Sequence, residues 1–322
     1  MRSNDSRRVM VTGAAGFVGA NLCHRLAVDR HDVHAVVAPS STAWRLDGDN
    51  AITRHVADVC DAGAMRSLVK KVRPSVIYHL ATHGAYPFQT DVDRVLLTNI
   101  LGLSNLLSAC EEIDYELFVH AGSSSEYGHK EHAMAECDLL EPDSIYAVAK
   151  ASQSLLCQYW AVAKKRPIVV LRLFSVYGPF EEPTRLIPRL MFAILNDEPL
   201  QMTAPDTARD FVYVDDVVEA FSRIDVLRNL SGEIVNLGTG VQQRLDNVIE
   251  IAERIAGRQL RIEWNSMEPR PWDSPAWVAD VTKLRRLNGY VPATPLARGL
   301  EKSLEWFRTH RQFYVPVSRT RA

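Results

Sequence analysis

The sequence predicts an α/β fold: a doubly wound parallel sheet with helices on both faces, joined to a smaller mixed α/β domain. Two patterns in the first half of the chain support this prediction. Short apolar runs alternate with longer segments of helical period. The apolar runs are rich in Val, Ile and Leu without regular polar alternation, which is typical of parallel strands buried on both faces.

The elements follow one another in a regular order. We expect strands at RVMVTG (8–13), DVHAVVA (32–38), AITRHVADV (51–59), PSVIYHLA (74–81), ELFVHAGSS (116–124) and PIVVLRLF (167–174). We expect helices at GFVGANLCHRLAVD (16–29), Asp61–Val72, Asp91–Glu112 and Ile145–Lys165. The third helix has apolar residues on one face, namely Leu96, Ile100, Leu103 and Leu107. Helices between successive strands are the crossovers that a parallel sheet requires.

The regular pattern weakens after Tyr177. Proline and arginine become frequent there, and patterns of strand and helix recur mainly near 210–240. We therefore predict one domain over residues 1–176 and a smaller domain over residues 177–322, with segments near 210–240 returning to the first.

Composition and charge exclude several classes of protein. The chain has 37 Lys and Arg against 39 Asp and Glu, a net charge of −2, so no nucleic-acid partner is expected. Five scattered cysteines form no CxxC pair and no His/Cys cluster, which predicts reduced thiols, a cytoplasmic location and no metal site. The chain shows no signal-peptide pattern and no apolar run of the ~18 residues that span a membrane, so no membrane partner is expected.

A glycine-rich loop follows the first strand and opens the first helix. Gly13 permits the tight turn, Gly16 lets backbone approach a diphosphate, and Gly19 lets the helix pack close to the strand. The amides near Phe17 and Val18 then face the phosphates at the positive end of the helix. A plain tight turn is the alternative, but the strand–loop–helix context favours a Rossmann-type dinucleotide-binding domain.

The second strand lacks the acid that usually holds the ribose 2′-hydroxyl of NAD. No carboxylate follows Val37, and Asp32 lies at the start of that strand. Ser40, Ser41 and Arg45 follow instead and can receive a 2′-phosphate, which favours NADP over NAD. The alternative is that these three are loop residues with no cofactor contact.

Ser123, Tyr146 and Lys150 complete an ordered set of motifs. The set resembles the extended short-chain dehydrogenases/reductases that act on nucleotide sugars, which include epimerases, 4,6-dehydratases and 4-keto reductases. The resemblance covers nearly the whole chain. The matching motifs are TGAAGFVG (12–19), Asp58, YHLA (78–81), TNILG (98–102), SSSEYG (123–128), YAVAK (146–150), RLFSVYGP (172–179), RDFVYVDDV (209–217) and PAWVAD (275–280).

The resemblance implies an enzyme with Ser123, Tyr146 and Lys150 as catalytic residues. Tyr146 and Lys150 share one helix face, because they are four residues apart. A nearby ammonium favours the phenolate, so we expect Lys150 to lower the Tyr146 pKa from about 10. Lys150 also holds the nicotinamide ribose, and Ser123 bonds the substrate oxygen whose proton Tyr146 moves.

Further residues are carried over from the family by motif. Asp58 and Val59 are expected beside the adenine, and Leu80 and Ala81 beside the cofactor ribose. Asn99 is expected to tie neighbouring backbone together rather than to touch the substrate.

The expected substrate is a nucleotide sugar. Arg209 and Arg270 match arginines that clamp its diphosphate, for which the planar guanidinium fork is suited; structural ion pairs are the alternative. Ser175 stands where the family often has Asn, which puts its expected substrate contact in doubt.

The loop after the fourth strand carries His83, Tyr86 and Gln89. Ligands bind beyond the carboxyl ends of parallel strands, so these side chains are expected to face the sugar. Packing within the loop is the alternative.

The segment after Ser123 bears on which reaction the enzyme performs. In the family's 4,6-dehydratases an acidic pair or a Ser-Glu pair follows the matching residue, and here Ser124 and Ser125 stand there. Both are expected beside the substrate. Glu126 lies one residue late, and a one-residue shift on a strand or tight turn reverses the side-chain direction. Dehydration is therefore in doubt.

Three reactions stay open. A 4-epimerase needs only Ser, Tyr and Lys with a retained NAD, a 4-keto reductase needs the same residues with fresh NADPH, and a 4,6-dehydratase needs a further acid and base. The missing acid after Val37 favours 4-keto reduction, with 4-epimerisation second. A non-catalytic dinucleotide-binding regulatory protein is the alternative of another class, although such relatives commonly lose the Tyr or Lys.

The resemblance also implies a homodimer. Helices such as Asp91–Glu112 and Ile145–Lys165 commonly form a four-helix interface in this family. Leu155 and Trp160 lie on the outer face of the second helix, where core packing would explain them equally well.

Overall fold

The structure is a computed structural model that describes residues 6–268 and 274–314. The strands are β1 (Arg8–Thr12), β2 (Asp32–Val37), β3 (Ile52–Val56), β4 (Val76–His79), β5 (Leu117–Ser123), β6 (Ile168–Leu173), β7 (Ser175–Tyr177), β8 (Leu200–Gln201), β9 (Ala208–Arg209), β10 (Phe211–Tyr213), β11 (Ile234–Leu237), β12 (Gln243–Arg244) and β13 (Ile262–Glu263). The α-helices are α1 (Phe17–Val28), α2 (Ala62–Val72), α3 (Val92–Leu96), α4 (Gly102–Cys110), α5 (Ile145–Val162), α6 (Leu186–Asn196), α7 (Val214–Ser222), α8 (Ile224–Leu227), α9 (Leu245–Ala256), α10 (Thr282–Asn288) and α11 (Leu296–Thr309).

Seven parallel strands form the central sheet, in the order β11-β6-β5-β4-β1-β2-β3. Two apolar cores lie on its opposite faces. Val9 and Val11 of β1 pack with α1 and α7, whereas Met10 between them packs with α2, α4 and α5, because successive strand residues point to opposite faces. The doubly wound Rossmann-type fold is therefore confirmed.

The chain after residue 177 builds a second region and also returns to the sheet. β10 pairs in parallel with β7, and β11 pairs in parallel with β6 at the edge of the large sheet. Short two-strand sheets join β8 to β13 and β9 to β12. A third apolar core, with Leu190, Val248 and Leu300, lies among α6, α9 and α11. The division into domains at residues 176 and 177 stays a prediction.

The expected helix over Asp91–Glu112 is broken by a π-helical turn. α3 ends at Leu96, the π-helical turn covers Leu97–Leu101, and α4 follows. A π turn adds one residue to the helical repeat. The apolar pattern of the sequence still looks like one helix, because the buried residues lie mainly in the segments on either side of the turn. The turn buries Asn99.

α5 ends at Val162, three residues before the expected end at Lys165. Trp160 belongs to the apolar core, whereas Leu155 is exposed. Within the described ranges no helix has the length and apolar character needed to cross a membrane, and no cluster of three or more His, Cys, Asp or Glu side chains is arranged to hold a metal ion.

Candidate active site

A cleft of about 1120 Å³ opens at the carboxyl ends of the parallel strands. This is the edge of an open α/β sheet where ligands bind. Its lining includes every described residue that the sequence predicts at the site: Gly13, Gly16, Phe17, Val18, Gly19, Ser40, Ser41, Arg45, Asp58, Val59, Leu80, Ala81, His83, Tyr86, Gln89, Ser123, Ser124, Ser125, Tyr146, Lys150, Ser175 and Arg209. Arg270 lies outside the described residues.

The glycine loop is packed too closely to accept side chains. Gly13 has a φ of +69°, and a Cβ there would lie 2.5 Å from the Ala81 nitrogen. A Cβ on Gly19 would lie 2.2 Å from the Gly13 carbonyl oxygen. Gly16 caps α1 without a side-chain hydrogen bond, so the first-turn amides of this helix stay available to a ligand. The loop therefore fits a dinucleotide diphosphate.

Replacing Gly13 by alanine is expected to prevent dinucleotide binding, because the added methyl collides with the backbone after β4. Gly257→Ala is a matched control, since Gly257 has a φ of +68° with nothing within 4 Å of an added Cβ. Both variants carry the cost of a left-handed φ, about 1 kcal/mol. Isothermal titration with NAD should show binding lost in Gly13→Ala and kept in Gly257→Ala; equal affinities would contradict the close-packing argument.

Arg45 is held by protein partners. Its Nε donates to the Phe180 carbonyl at 2.8 Å, and its Nη1 donates to the Ala15 carbonyl at 3.3 Å. Its Nη2 lies 3.7 Å from a Glu182 carboxylate oxygen. Ser40 and Ser41, by contrast, are exposed. The guanidinium that was expected to receive a 2′-phosphate therefore joins the glycine loop to the segment after β7.

The catalytic candidates meet where β5 ends and α5 begins. Ser144 caps α5, its hydroxyl accepting the Ala147 amide at 3.2 Å, and this places Tyr146 and Lys150 on the first turns. The side chains of Ser123 and Tyr146 both line the cleft. The Lys150 ammonium donates to the Ala121 carbonyl at 3.0 Å and lies 5.9 Å from the centre of the Tyr146 ring. The three residues thus line the same cleft.

The expected lowering of the Tyr146 pKa is not found. Burial raises the pKa of Tyr146 to about 12, although the hydrogen bond to Ser123 and the charge of Arg185 both lower it. Burial also lowers the pKa of Lys150 to about 8, against the charge of Glu126. Burial of the phenol therefore outweighs the interactions that lower its pKa.

Glu126 points away from the cleft. It lies in a single 3₁₀ turn after β5 and is fully buried. One carboxylate oxygen accepts the Ser123 amide at 2.8 Å. The other accepts the Arg172 Nε at 2.7 Å and the Ser154 hydroxyl at 2.7 Å. Glu126 therefore supports the end of β5 from behind, in agreement with the reversed direction expected from its one-residue displacement.

Ser124 and Ser125 line the cleft but carry no charge. The Ser124 hydroxyl accepts the Trp277 indole N–H at 3.1 Å. The Ser125 amide donates to the Ser123 hydroxyl oxygen at 3.2 Å. Arg209 lies 5.4 Å from the Trp277 ring centre, at the end of the cleft formed by the second region. The side chains directly after Ser123 thus supply hydroxyl groups rather than an acid.

The loop after β4 is held from the π-helical turn. Asn99 accepts the His83 amide at 2.8 Å and donates to the His83 carbonyl at 2.8 Å, so it ties backbone together as expected. Gln89 accepts the amides of Gly84 and Tyr86 at 3.0 and 3.3 Å. Gln89 therefore orders the loop itself, whereas His83 and Tyr86 form part of the cleft wall.

One wall of the cleft was missed by the sequence analysis. It comprises the segment after β7, with Glu181, Glu182 and Arg185 lining the cleft. Burial raises the pKa of Glu181 to about 8, against the charge of Arg185, whose Nε lies 3.8 Å from it. The sequence signal that could have identified this wall is the position of the charged segment, directly after the RLFSVYGP motif.

Comparison with known proteins defines the class of this site. The model of the NAD dependent epimerase/dehydratase family matches residues 9–238. The chain belongs to this family and is an enzyme of the extended short-chain dehydrogenase/reductase group, as its motifs predicted.

Similar proteins differ in the reaction that their names state. A Bacillus subtilis protein described as an uncharacterized UDP-glucose epimerase is 31% identical over 326 residues, covering 93% of this chain and 97% of its own. A Streptomyces griseus dTDP-glucose 4,6-dehydratase is 28% identical over 330 residues and covers 96% of both chains. The solved structure of Bacillus cereus UDP-glucuronic acid 4-epimerase with UDP-glucuronic acid and NAD is 29% identical, covers 94% of this chain and 99% of that one, and has a TM-score of 0.83. None of these names specifically supports 4-keto reduction.

Proposed function

We propose that this enzyme is an NAD-dependent 4-epimerase of a nucleotide-activated hexose. The observation that carries the proposal is the position of Glu126, whose carboxylate is committed to Arg172 behind the cleft. Elimination of water across C5 and C6 requires an additional acid and base, and the residues after Ser123 at the cleft are the uncharged Ser124 and Ser125. Epimerisation at C4 needs none.

The residues of the cleft fit NAD. Gly13 and Gly19 are packed so closely against neighbouring backbone that neither position accepts a side chain, as the tight diphosphate-binding turn requires. Asp58, Val59, Leu80 and Ala81 line the cleft. The first two are proposed to contact the adenine, and the last two the ribose region. Arg45 is engaged with Phe180, Ala15 and Glu182, which favours NAD over NADP because a 2′-phosphate would have to compete with these partners.

In the proposed mechanism, the chain's residues act on the oxygen at C4 of the sugar. Ser123 donates a hydrogen bond to this oxygen, and Tyr146 in its phenolate form accepts the proton of the C4 hydroxyl and becomes the phenol. Lys150 orients the cofactor ribose and stabilises negative charge on Tyr146. Bound NAD would supply the hydride acceptor, and its reduced form would supply the hydride that returns to C4. Tyr146 then returns the proton, so no external reductant is consumed.

The substrate end of the cleft is proposed to lie along His83, Tyr86, Ser124, Ser125 and Ser175. Arg209, and Arg270 by its motif, are proposed to bind the nucleotide diphosphate, since guanidinium groups form paired bonds to phosphate oxygens.

The nucleotide carried by the purified protein tests this function. An epimerase that recycles its hydride should yield NAD, in close to one equivalent per chain, when the protein is denatured and its supernatant is analysed by mass spectrometry. An empty protein that binds NADPH in preference to NADH would contradict the proposal and favour 4-keto reduction.

We also propose a homodimer formed by the outer faces of α3 to α5. Large apolar side chains are exposed there, including Leu101 at 52%, Leu155 at 59% and Tyr159 at 54%. Exposed large apolar side chains gathered on one helical face are typical of protein–protein contacts.

Leu155→Glu is expected to convert the dimer to a monomer, because it places a charge within this apolar face. Leu139→Glu is the control, since Leu139 is 74% exposed in a loop outside it. Light scattering at micromolar concentration would measure both masses, and a monomeric unsubstituted protein would overturn the dimer.

A further inference from the structure

Three segments from distant parts of the chain meet beside the glycine loop. They are the turn with Trp44 and Arg45 after β2, the segment with Phe180 and Glu182 after β7, and the end of the described chain at Tyr314. We call these five residues the clasp. The sequence motifs and the proposed catalytic steps assign no common role to them.

Arg45 lies at the centre of the polar contacts within the clasp. Its side chain is only 11% exposed, and its Nε bonds the Phe180 carbonyl at 2.8 Å. Its Nη1 bonds the carbonyl of Ala15, a residue of the glycine loop, at 3.3 Å, and its Nη2 lies 3.7 Å from Glu182. One guanidinium thus joins the diphosphate-binding loop to the segment that forms the opposite wall of the cleft.

Aromatic contacts surround this guanidinium. Its carbon lies 4.5 Å from the Trp44 ring centre. Trp44 in turn lies 5.8 Å from Phe180 and 5.6 Å from Tyr314, between ring centres. The Tyr314 hydroxyl donates to the Glu181 carbonyl at 2.9 Å. The apolar rings shield the Arg45 bonds from water, which strengthens charge-assisted hydrogen bonds.

Asn21 of α1 makes a second connection to the segment after β7. The Asn21 amide donates both to the Phe17 carbonyl and to the Pro179 carbonyl, each at 3.0 Å. The segment after β7 is therefore tied to both ends of the cofactor-binding turn, at Ala15 and at the first turn of α1. It cannot move outward without breaking these bonds.

We propose that the clasp retains NAD in the cleft between turnovers by slowing its dissociation. The inference rests on the proposed function, because an epimerase that returns the same hydride gains from keeping one cofactor molecule. Arg45 is a positioning residue in this account: it acts by holding the cleft wall against the loop that binds the diphosphate.

The dissociation rate of NAD from the loaded protein tests the clasp. The purified, NAD-loaded protein is mixed with a large excess of isotopically labelled NAD, and the exchange of label is followed by mass spectrometry. Arg45→Met is expected to exchange NAD ~10-fold or more faster, because it removes charge-assisted bonds across the cleft. Tyr314→Phe keeps the ring and removes only its hydrogen bond, so a smaller acceleration is expected.

Arg25→Met serves as the matched control. Arg25 is an ion-paired arginine of α1, bonded to Asp29 and Glu219 outside the cleft. It should exchange NAD at the unsubstituted rate. Melting temperatures of all variants show whether they fold, and Tyr314→Phe keeps the test decisive if Arg45→Met does not fold.

The outcomes separate the clasp from the proposed function. Exchange rates within about twofold of the unsubstituted protein in both clasp variants, in an enzyme that epimerises, would overturn the clasp alone. Faster exchange in both variants supports it, and this readout does not depend on which sugar is turned over.

Discussion

Tyr146→Phe is expected to reduce turnover by roughly 10²–10⁴-fold, the usual contribution of a positioned general acid or base. The substitution keeps the ring and removes only the hydroxyl at the cleft. Affinity for NAD and the melting temperature should change little. Steady-state kinetics with a nucleotide hexose, combined with NAD titration, measure the two effects separately.

Tyr115→Phe is the control for this substitution. Tyr115 lies just before β5, at the end of the strand opposite the cleft, and its ring packs beside Arg166, so loss of its hydroxyl should leave turnover unchanged. If Tyr146→Phe retained more than about a tenth of the unsubstituted rate, proton transfer by Tyr146 would be contradicted.

Glu126→Gln is expected to destabilise the fold by about 3–5 kcal/mol, because it breaks a buried ion pair and leaves a charged guanidinium behind. Arg172 is 2% exposed, and within the described chain its Nη1 already lacks a hydrogen-bond partner, so the guanidinium depends on Glu126 for its charge compensation. Urea unfolding followed by circular dichroism would give the change in free energy of unfolding.

Two further variants help to interpret the stability measured for Glu126→Gln. Glu219→Gln alters the partly exposed pair with Arg25 and should cost at most about 1 kcal/mol. Glu126→Gln combined with Arg172→Met should recover part of the stability, since no unpaired charge remains. Lost activity with unchanged stability in Glu126→Gln would instead indicate a catalytic role and return 4,6-dehydration to consideration.

Much of the fold was predictable because its signals are local in sequence. Strands that are buried on both faces appear in the sequence as unbroken apolar runs. β5 and β6 lie within the segments expected for them. The π-helical turn at Leu97–Leu101 was not predictable, because one extra residue barely disturbs the apolar periodicity on either side.

Site residues were predictable where their chemical role depends on a fixed spacing in the sequence. Gly13, Tyr146 and Lys150 lie at fixed offsets from the ends of strands and helices, so the fold brings them to one cleft. The direction of the Tyr146 pKa shift was not predictable, since it depends on burial by distant residues. The wall with Glu181 and the internal bonds of Arg45 also depend on tertiary packing, which sequence spacing does not encode.

The most direct test of the account is proton NMR of the purified enzyme with candidate substrates in D₂O, without added NAD or NADPH. The panel includes UDP-glucose, UDP-glucuronic acid and dTDP-glucose. The account predicts that one of them is converted to a mixture with its C4 epimer, and that the hydrogen at C4 is not exchanged for deuterium, because the same hydride returns. Formation of a 4-keto-6-deoxy sugar, or turnover that requires added NADPH, would contradict the account.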